Sequence, residues 1–192
     1  MNVYRLQAER EGYRWLMLAQ APDLGLVAVL QGVPAAELWT TPTVATLELD
    51  FAREDRALPL PDFPVFSTSA VLSRRAVDAL LDLLVENGEI LPLACAEGEF
   101  FVFNVTRVLD ALDEPASEIK RFRGGSRGRA KSIVRHAFRP ERLTSAVFRI
   151  PQKPHRVYVT QGFVDRVEQA GLTGFDFGYV WPPLDRETHE QR

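Results

Sequence analysis

Two hydrophobic periods divide this chain. Over residues 1 to 20 apolar and polar positions alternate loosely (Val3, Arg5, then Tyr13, Trp15, Met17), the period of two that half-buried strands show, and Glu11-Gly12 supplies a turn between them. A hairpin is predicted there. Pro22-Asp23-Leu24-Gly25 reads as a turn, Leu26 to Leu30 as a short strand, and Trp39 to Pro42 as extended chain, because the residue before a proline is pushed out of the helical region. Thr43 to Phe51 alternates again and predicts a strand. The period then changes. Val77, Leu80, Leu81 and Leu84 share one face at helical spacing, Ser67 is placed to cap an amide of the first turn that follows it, and Asn87-Gly88 supplies a left-handed stop, so a helix is predicted over Thr68 to Glu86.

Gly88 to Leu93 reads as a strand returning beside that helix. Phe100 to Val105, an aromatic and β-branched run, predicts a strand near the middle of a sheet. Ile119 to Arg123 and Ile133 to Phe138 flank Gly124-Gly125-Ser126-Arg127-Gly128, the pattern of a β-hairpin with a long cationic loop over residues 119–139. Ala146 to Ile150 and Arg156 to Val159 are two further strands, and Thr160 is placed to cap a second helix whose Phe163, Val167 and Ala170 share a face before Gly171 ends it. Gly174 to Trp181 reads as a closing strand. About ten short strands and two helices predict an α+β fold with a largely antiparallel mixed sheet. The proline-rich connection Ala57 to Pro64 suggests a boundary between a strand-rich lobe at 1–56 and an α+β core at 57–184, with 185–192 a disordered tail.

Composition narrows the class without naming a function. Hydrophobic residues at 46% and charged residues at 26% exclude a disordered or fibrous chain. The single cysteine, Cys95, forms no internal disulfide and sits in no zinc-type spacing, which suits a reducing compartment. With no signal-peptide pattern and no apolar run of about 20 residues, a cytoplasmic location away from membranes is expected. Charge is the uneven feature. Nine Lys/Arg against Glu141 alone make residues 120 to 142 net +8, so the overall −3 leaves −11 on the remainder. Such asymmetry points to a charged partner.

No reactive constellation stands out. His136, His155 and His189 lie in no catalytic motif, and His136 reads as one more polar position of the hairpin. Cys95 follows apolar residues and behaves as a small hydrophobe. Ser117-Glu118-Ile119-Lys120 has Ser-x-x-Lys spacing without the companion motifs. The glycine-rich tip lacks the Gly-Lys-Ser/Thr ending of a phosphate loop, and Asp110 with Asp113-Glu114, or Glu97 with Glu99, are ordinary surface carboxylates. Catalytic, metal-binding and cofactor-binding residues are therefore not expected.

One set of short motifs carries a resemblance. Trp39-x-x-Pro42, Asp62-Phe63-Pro64 with Phe66-Ser67, Leu91-Pro92-Leu93, Phe103-Asn104-Val105 with Leu109 to Asp113, Ser117, Phe148-Arg149-Ile150 and the ending Gly171-Leu172-x-Gly174-Phe175-x-Phe177-x-x-Val180-Trp181 occur in order. They resemble a family of bacterial immunity proteins from polymorphic toxin systems, formerly a domain of unknown function, over most of the chain from about Trp39 to Trp181. The resemblance implies a cytoplasmic, non-catalytic antidote that binds a toxin domain, encoded by an adjacent gene, and occludes it. It carries over no catalytic residues. The hairpin tip is more basic than the family pattern suggests, which makes Arg121, Arg123, Arg127, Arg129 and Lys131 the expected partner-binding residues. The alternative from charge alone is a nucleic-acid-associated module acting through the same hairpin, although the acidic remainder would repel phosphates.

Overall fold

The computed structural model describes residues 1–19, 30, 32–47, 58–67, 69–122 and 129–183. Among these residues it forms eleven strands and two helices, the α+β architecture expected. The strands are β1 (Val3–Ala8), β2 (Trp15–Leu18), β3 (Thr43–Leu47), β4 (Ala70–Ser73), β5 (Gly88–Cys95), β6 (Phe100–Val105), β7 (Glu118–Arg121), β8 (Ala130–Arg135), β9 (Val147–Ile150), β10 (Lys153–Thr160) and β11 (Phe175–Trp181). The helices are α1 (Arg74–Val85) and α2 (Gln161–Gln169). A four-stranded sheet has the order β11-β1-β10-β9, a five-stranded sheet the order β2-β3-β5-β6-β4, and β7-β8 form a separate ribbon. Only the β3–β5 pairing of named strands is parallel.

Each large sheet is buried on both faces. In β6, Phe101, Phe103 and Val105 point to the helices, while Phe100 and Val102 meet Leu16, Val44, Val71, Leu91 and Leu93 on the other side. In β1 and β11, Tyr4, Leu6, Phe175 and Phe177 face the helices, and Val3, Val180 and Trp181 face a third cluster with Phe138, Phe148 and Tyr158. Both helices therefore lie in the central core, α1 through Val77, Leu80 and Leu84 and α2 through Phe163 and Val167. Leu81 had the right spacing for that face but is 47% exposed.

Several expectations are corrected. Residues 1 to 20 do not form a hairpin: β1 lies between β10 and β11, and β2 pairs with β3 in the other sheet. Both faces of β1 carry core residues, so an interior position satisfies it better than a two-stranded ribbon would. The first helix begins at Arg74, not Thr68, because Ala70 to Ser73 pair with Phe103 to Phe100 as an edge strand. Ser73, not Ser67, is the cap, and its Oγ accepts the amide of Ala76 at 3.1 Å. Ser67 has a positive φ of 46° and stands in a turn. Thr160 occupies the cap position of α2, but its side chain accepts no capping bond.

Gly88 is not a left-handed stop either. It opens β5, where a Cβ would lie 2.3 Å from the carbonyl oxygen of Asn104 across the ladder. The helix ends instead on Asn87, whose Nδ2 donates to the Leu83 carbonyl at 2.7 Å. Gly171 has the positive φ expected after α2. The expected strands Leu26 to Leu30 and Thr43 to Phe51 fall partly outside the described residues, as do the hairpin tip and the tail. Strands β1 and β3, from the first 56 residues, pair with strands of the remainder in both large sheets.

The segment before α1 ties these layers together. Asp62 is 7% exposed, and its carboxylate accepts the Ser73 hydroxyl at 2.7 Å, Arg75 Nη1 at 2.6 Å and the Thr173 amide at 3.0 Å. The other amino group of Arg75 donates to the carbonyls of Ala170 and Gly171 at the end of α2. Phe63 stacks on Phe175, with ring centroids 4.6 Å apart. Gly174, at φ 83°, fits beneath because a Cβ there would come within 2.6 Å of Pro61 and 2.7 Å of the Phe63 carbonyl.

Urea unfolding tests the assignment of the cap. Ser73→Ala should lower stability by about 1 to 2 kcal/mol, since it removes a cap and a bond to a buried carboxylate. Ser67→Ala should cost less than about 0.5 kcal/mol. Equal losses would contradict the helix start at Arg74.

Candidate partner-binding surface

The β7–β8 ribbon is fixed at its base and cationic at its surface. Ile119 and Ile133 pair across the ribbon and pack on the third core cluster. The Ala130 amide donates to the Gln152 carbonyl at 2.9 Å, and Lys153 Nζ donates to the Lys131 carbonyl at 2.5 Å. Ser117 joins the loop before β7 to the chain after β8: its hydroxyl donates to the Asp113 carbonyl at 2.7 Å and accepts the Ala137 amide at 2.9 Å. That use of the oxygen is structural.

The five expected contact residues are not equivalent. Arg121 lies on β7 and is bound to Glu114 at 2.5 Å, so its charge is locally compensated. Gln152 donates to the other Glu114 oxygen at 2.8 Å, and this bond, despite burial and with help from Arg121, holds the Glu114 carboxyl below its ordinary value. Arg129 and Lys131 are exposed and form no salt bridge among the described residues. Arg123 and Arg127 lie outside the described residues. Phe122 and Val134, half-exposed on the same ribbon, add apolar area beside the cations.

The structure extends this surface beyond the hairpin. Arg149 is 3% exposed and Lys153 is 6% exposed, yet neither forms a salt bridge among the described residues. Arg149 donates through Nε to the Val105 carbonyl at 2.8 Å and through Nη1 to the Pro154 carbonyl at 2.5 Å. Burial pushes its guanidinium down to about 10, so it remains charged at neutral pH. His155, on β10, is held below its ordinary value by burial and then by Lys153, Arg156, Arg149 and Arg129. These four cations therefore act on one imidazole. Pro151 to Arg156 reads in the sequence as a connector between strands, and only the pairing of β9 with β10 reveals that it gathers charge.

His136 also differs from its expected role. It is half-buried, stacked on Phe138 with centroids 5.8 Å apart, and Nε2 lies 3.2 Å from the Tyr158 hydroxyl. Burial, then the charges of Arg156 and Arg5, push the imidazole down to about 4. Burial also drives the Tyr158 phenol up to about 12, so both groups are neutral near pH 7. They are part of an aromatic cluster with Phe148 and Trp181.

A cleft of about 640 Å³ opens beside this cationic face, between the outer half of β1, the loop leading to β4, and β10. Ser67, Ser69 and His155 line it, but among the described residues neither serine is hydrogen-bonded to the imidazole or to a carboxylate. Among the described residues no three His, Cys, Asp or Glu side chains gather as metal ligands. The suspected acidic pairs are taken up singly by arginines: Asp110 by Arg142, Glu97 by Arg14 and Glu99 by Arg74. No described helix is long and apolar enough to cross a membrane.

The scaffold is thus a two-sheet α+β fold that presents fixed positive charge on one side. Residues 94–180, from the end of β5 to β11, match the model of the immunity protein family Imm11, which bears out the resemblance to bacterial immunity proteins over that span. The span includes the ribbon, Arg149, Lys153 and His155, whereas the Asp62 to Ser67 motif and β1 precede it. No curated protein matches the chain.

Acid titration checks the placement of His136. Its folded value lies below its unfolded one, so the unfolded chain binds the extra proton and stability falls as pH drops from about 6.5 towards 4. Thermal melts of His136→Gln should show this loss reduced by on the order of 1 to 2 kcal/mol relative to the parent, after allowance for partial exposure. His155→Gln, at an exposed position, should change it less. Identical pH profiles for parent and His136→Gln would contradict the buried neutral imidazole.

Proposed function

We propose that this chain is a cytoplasmic immunity protein that binds a cognate toxin domain, encoded by an adjacent gene, and neutralises it by steric occlusion without catalysis. The observation that carries the reading is the family match over residues 94–180. The surface supports it physically. Exposed Arg129 and Lys131, backed by buried Arg149 and Lys153, would steer an acidic partner into encounter. Phe122 and Val134 would then lose water against it, and such half-exposed apolar groups slow dissociation more than rim charges do. Arg121 serves mainly to hold the ribbon to Glu114. Arg123 and Arg127, which lie outside the described residues, would add to the positive charge offered to the partner.

Co-expression with the toxin domain of the neighbouring gene tests the reading, and the parent chain should restore growth. Purified, Arg129→Ala/Lys131→Ala should associate about tenfold more slowly at low salt, with the difference shrinking as salt rises. Phe122→Ala should instead raise the dissociation rate. Growth arrest despite abundant soluble parent chain, for every adjacent toxin, would refute the proposal. Tight salt-dependent binding to generic RNA or DNA with no toxin complex would favour the nucleic-acid module instead.

A further inference from the structure

Strands β1 and β10 are neighbours for only part of their length. They pair at Val3↔Thr160, Tyr4↔Val159 and Arg5↔Tyr158, after which β1 continues against β11 alone. On the other side, β10 loses register with β9 between Lys153 and Tyr158. Among the described residues the main chains of Leu6–Ala8 and His155–Val157 therefore border the cleft without a ladder between them. Strand edges facing a gap invite an added extended segment.

The side chains state what that segment should carry. Arg5 Nε is shielded from solvent and has no hydrogen-bond partner among the described residues. Its guanidinium lies beside Gly178, the residue that Arg5 faces across the β1–β11 ladder. Arg156, across the cleft, forms no salt bridge among the described residues. Of the carboxylates at the rim, Glu9 accepts the amides of Arg10 and Glu11, and Asp176 accepts Gln7 Nε2 at 3.1 Å. Glu11 stands at the exposed outer end. The two arginines thus remain uncompensated among the described residues, while Leu6, Val157 and Phe63 supply the apolar part of the cleft lining.

We infer that the cleft between β1 and β10 receives an extended acidic segment of the partner protein, its main chain pairing with the free strand edges and a carboxylate bridging Arg5 and Arg156. A planar guanidinium with an unused N–H suits a carboxylate better than a lysine would. An apolar residue beside that carboxylate would cover Val157 and Leu6. The inference rests on the immunity reading only for the identity of the partner.

Two experiments separate the inference from that reading. In the first, ¹⁵N-labelled protein is titrated with Ac-Val-Glu-Val-Glu-Val-NH2, with the same peptide carrying Gln for Glu, and with inorganic phosphate. The Glu peptide should shift the Nε–H signals of Arg5 and Arg156 and slow amide exchange at Leu6–Ala8 and His155–Val157. The Gln peptide and the Arg5→Gln/Arg156→Gln variant should each bind about tenfold more weakly. Because Arg5 packs on β11, the double variant is accompanied by Arg156→Gln alone, which leaves that packing intact and should still lose several-fold. Equal binding of both peptides, no protection of the strand amides, or phosphate alone reproducing every change would overturn the inference. In the second, toxin affinity is measured for parent and Arg156→Gln. A parent that binds the peptide but no toxin removes the immunity reading and leaves the cleft, whereas full toxin affinity in Arg156→Gln removes the cleft as the toxin's seat.

Discussion

The buried carboxylate of Asp62 receives donors from three distant parts of the chain: Ser73 at the start of α1, Arg75 one turn into it, and Thr173 on the way to β11. These groups belong to the five-stranded sheet's helix on one side and to the four-stranded sheet's last strand on the other. A charge so enclosed is tolerated only because every oxygen finds partners, and each donor would in turn be left unpaired without it. Phe63 adds its stack on Phe175, and Gly174 allows the two segments to approach. This junction ties the start of α1 to the chain entering β11, and it anchors the segment from Phe63 that lines one wall of the β1–β10 cleft.

The second constraint is electrostatic. Arg149 and Lys153 are held by main-chain carbonyls rather than by carboxylates. Such placement leaves their charge projecting through the protein to the face where Arg129, Arg156 and Arg5 stand. Elsewhere on the described surface several arginines are matched locally by acids, as Arg166 is by Asp82 and Arg142 by Asp110. An unmatched positive face on an otherwise acidic chain is an arrangement suited to an acidic partner, and it orients that partner before contact.

Much of the fold was legible because strands and helices carried their own period. Phe100 to Val105, the paired strands around Pro151 to Pro154, and the closing strand to Trp181 could all be read from local pattern. The helix start could not. Ala70-Val71-Leu72 is equally apolar as a strand and as a first helical turn, and only its pairing with β6 decides. Gly88 looked like a stop, but its need is a close approach to Asn104 across the ladder. The partner of β1 lies more than 150 residues away, at Thr160, beyond the reach of any local period. For the candidate surface, charge density pointed to the ribbon but could not show that Arg121 pairs with Glu114. Arg5 and Arg156 were invisible as a pair because topology alone brings β1 and β10 together.

The central claim is that the cationic side of the four-stranded sheet, with its ribbon, carries the partner contact. Hydrogen–deuterium exchange of the chain alone and bound to its toxin domain tests it most directly. Protection should concentrate in β7, β8, the outer half of β1 and residues 153–157. Protection confined to the outer face of α1 around Leu81 and Val85, with the cationic side unchanged, would contradict the account.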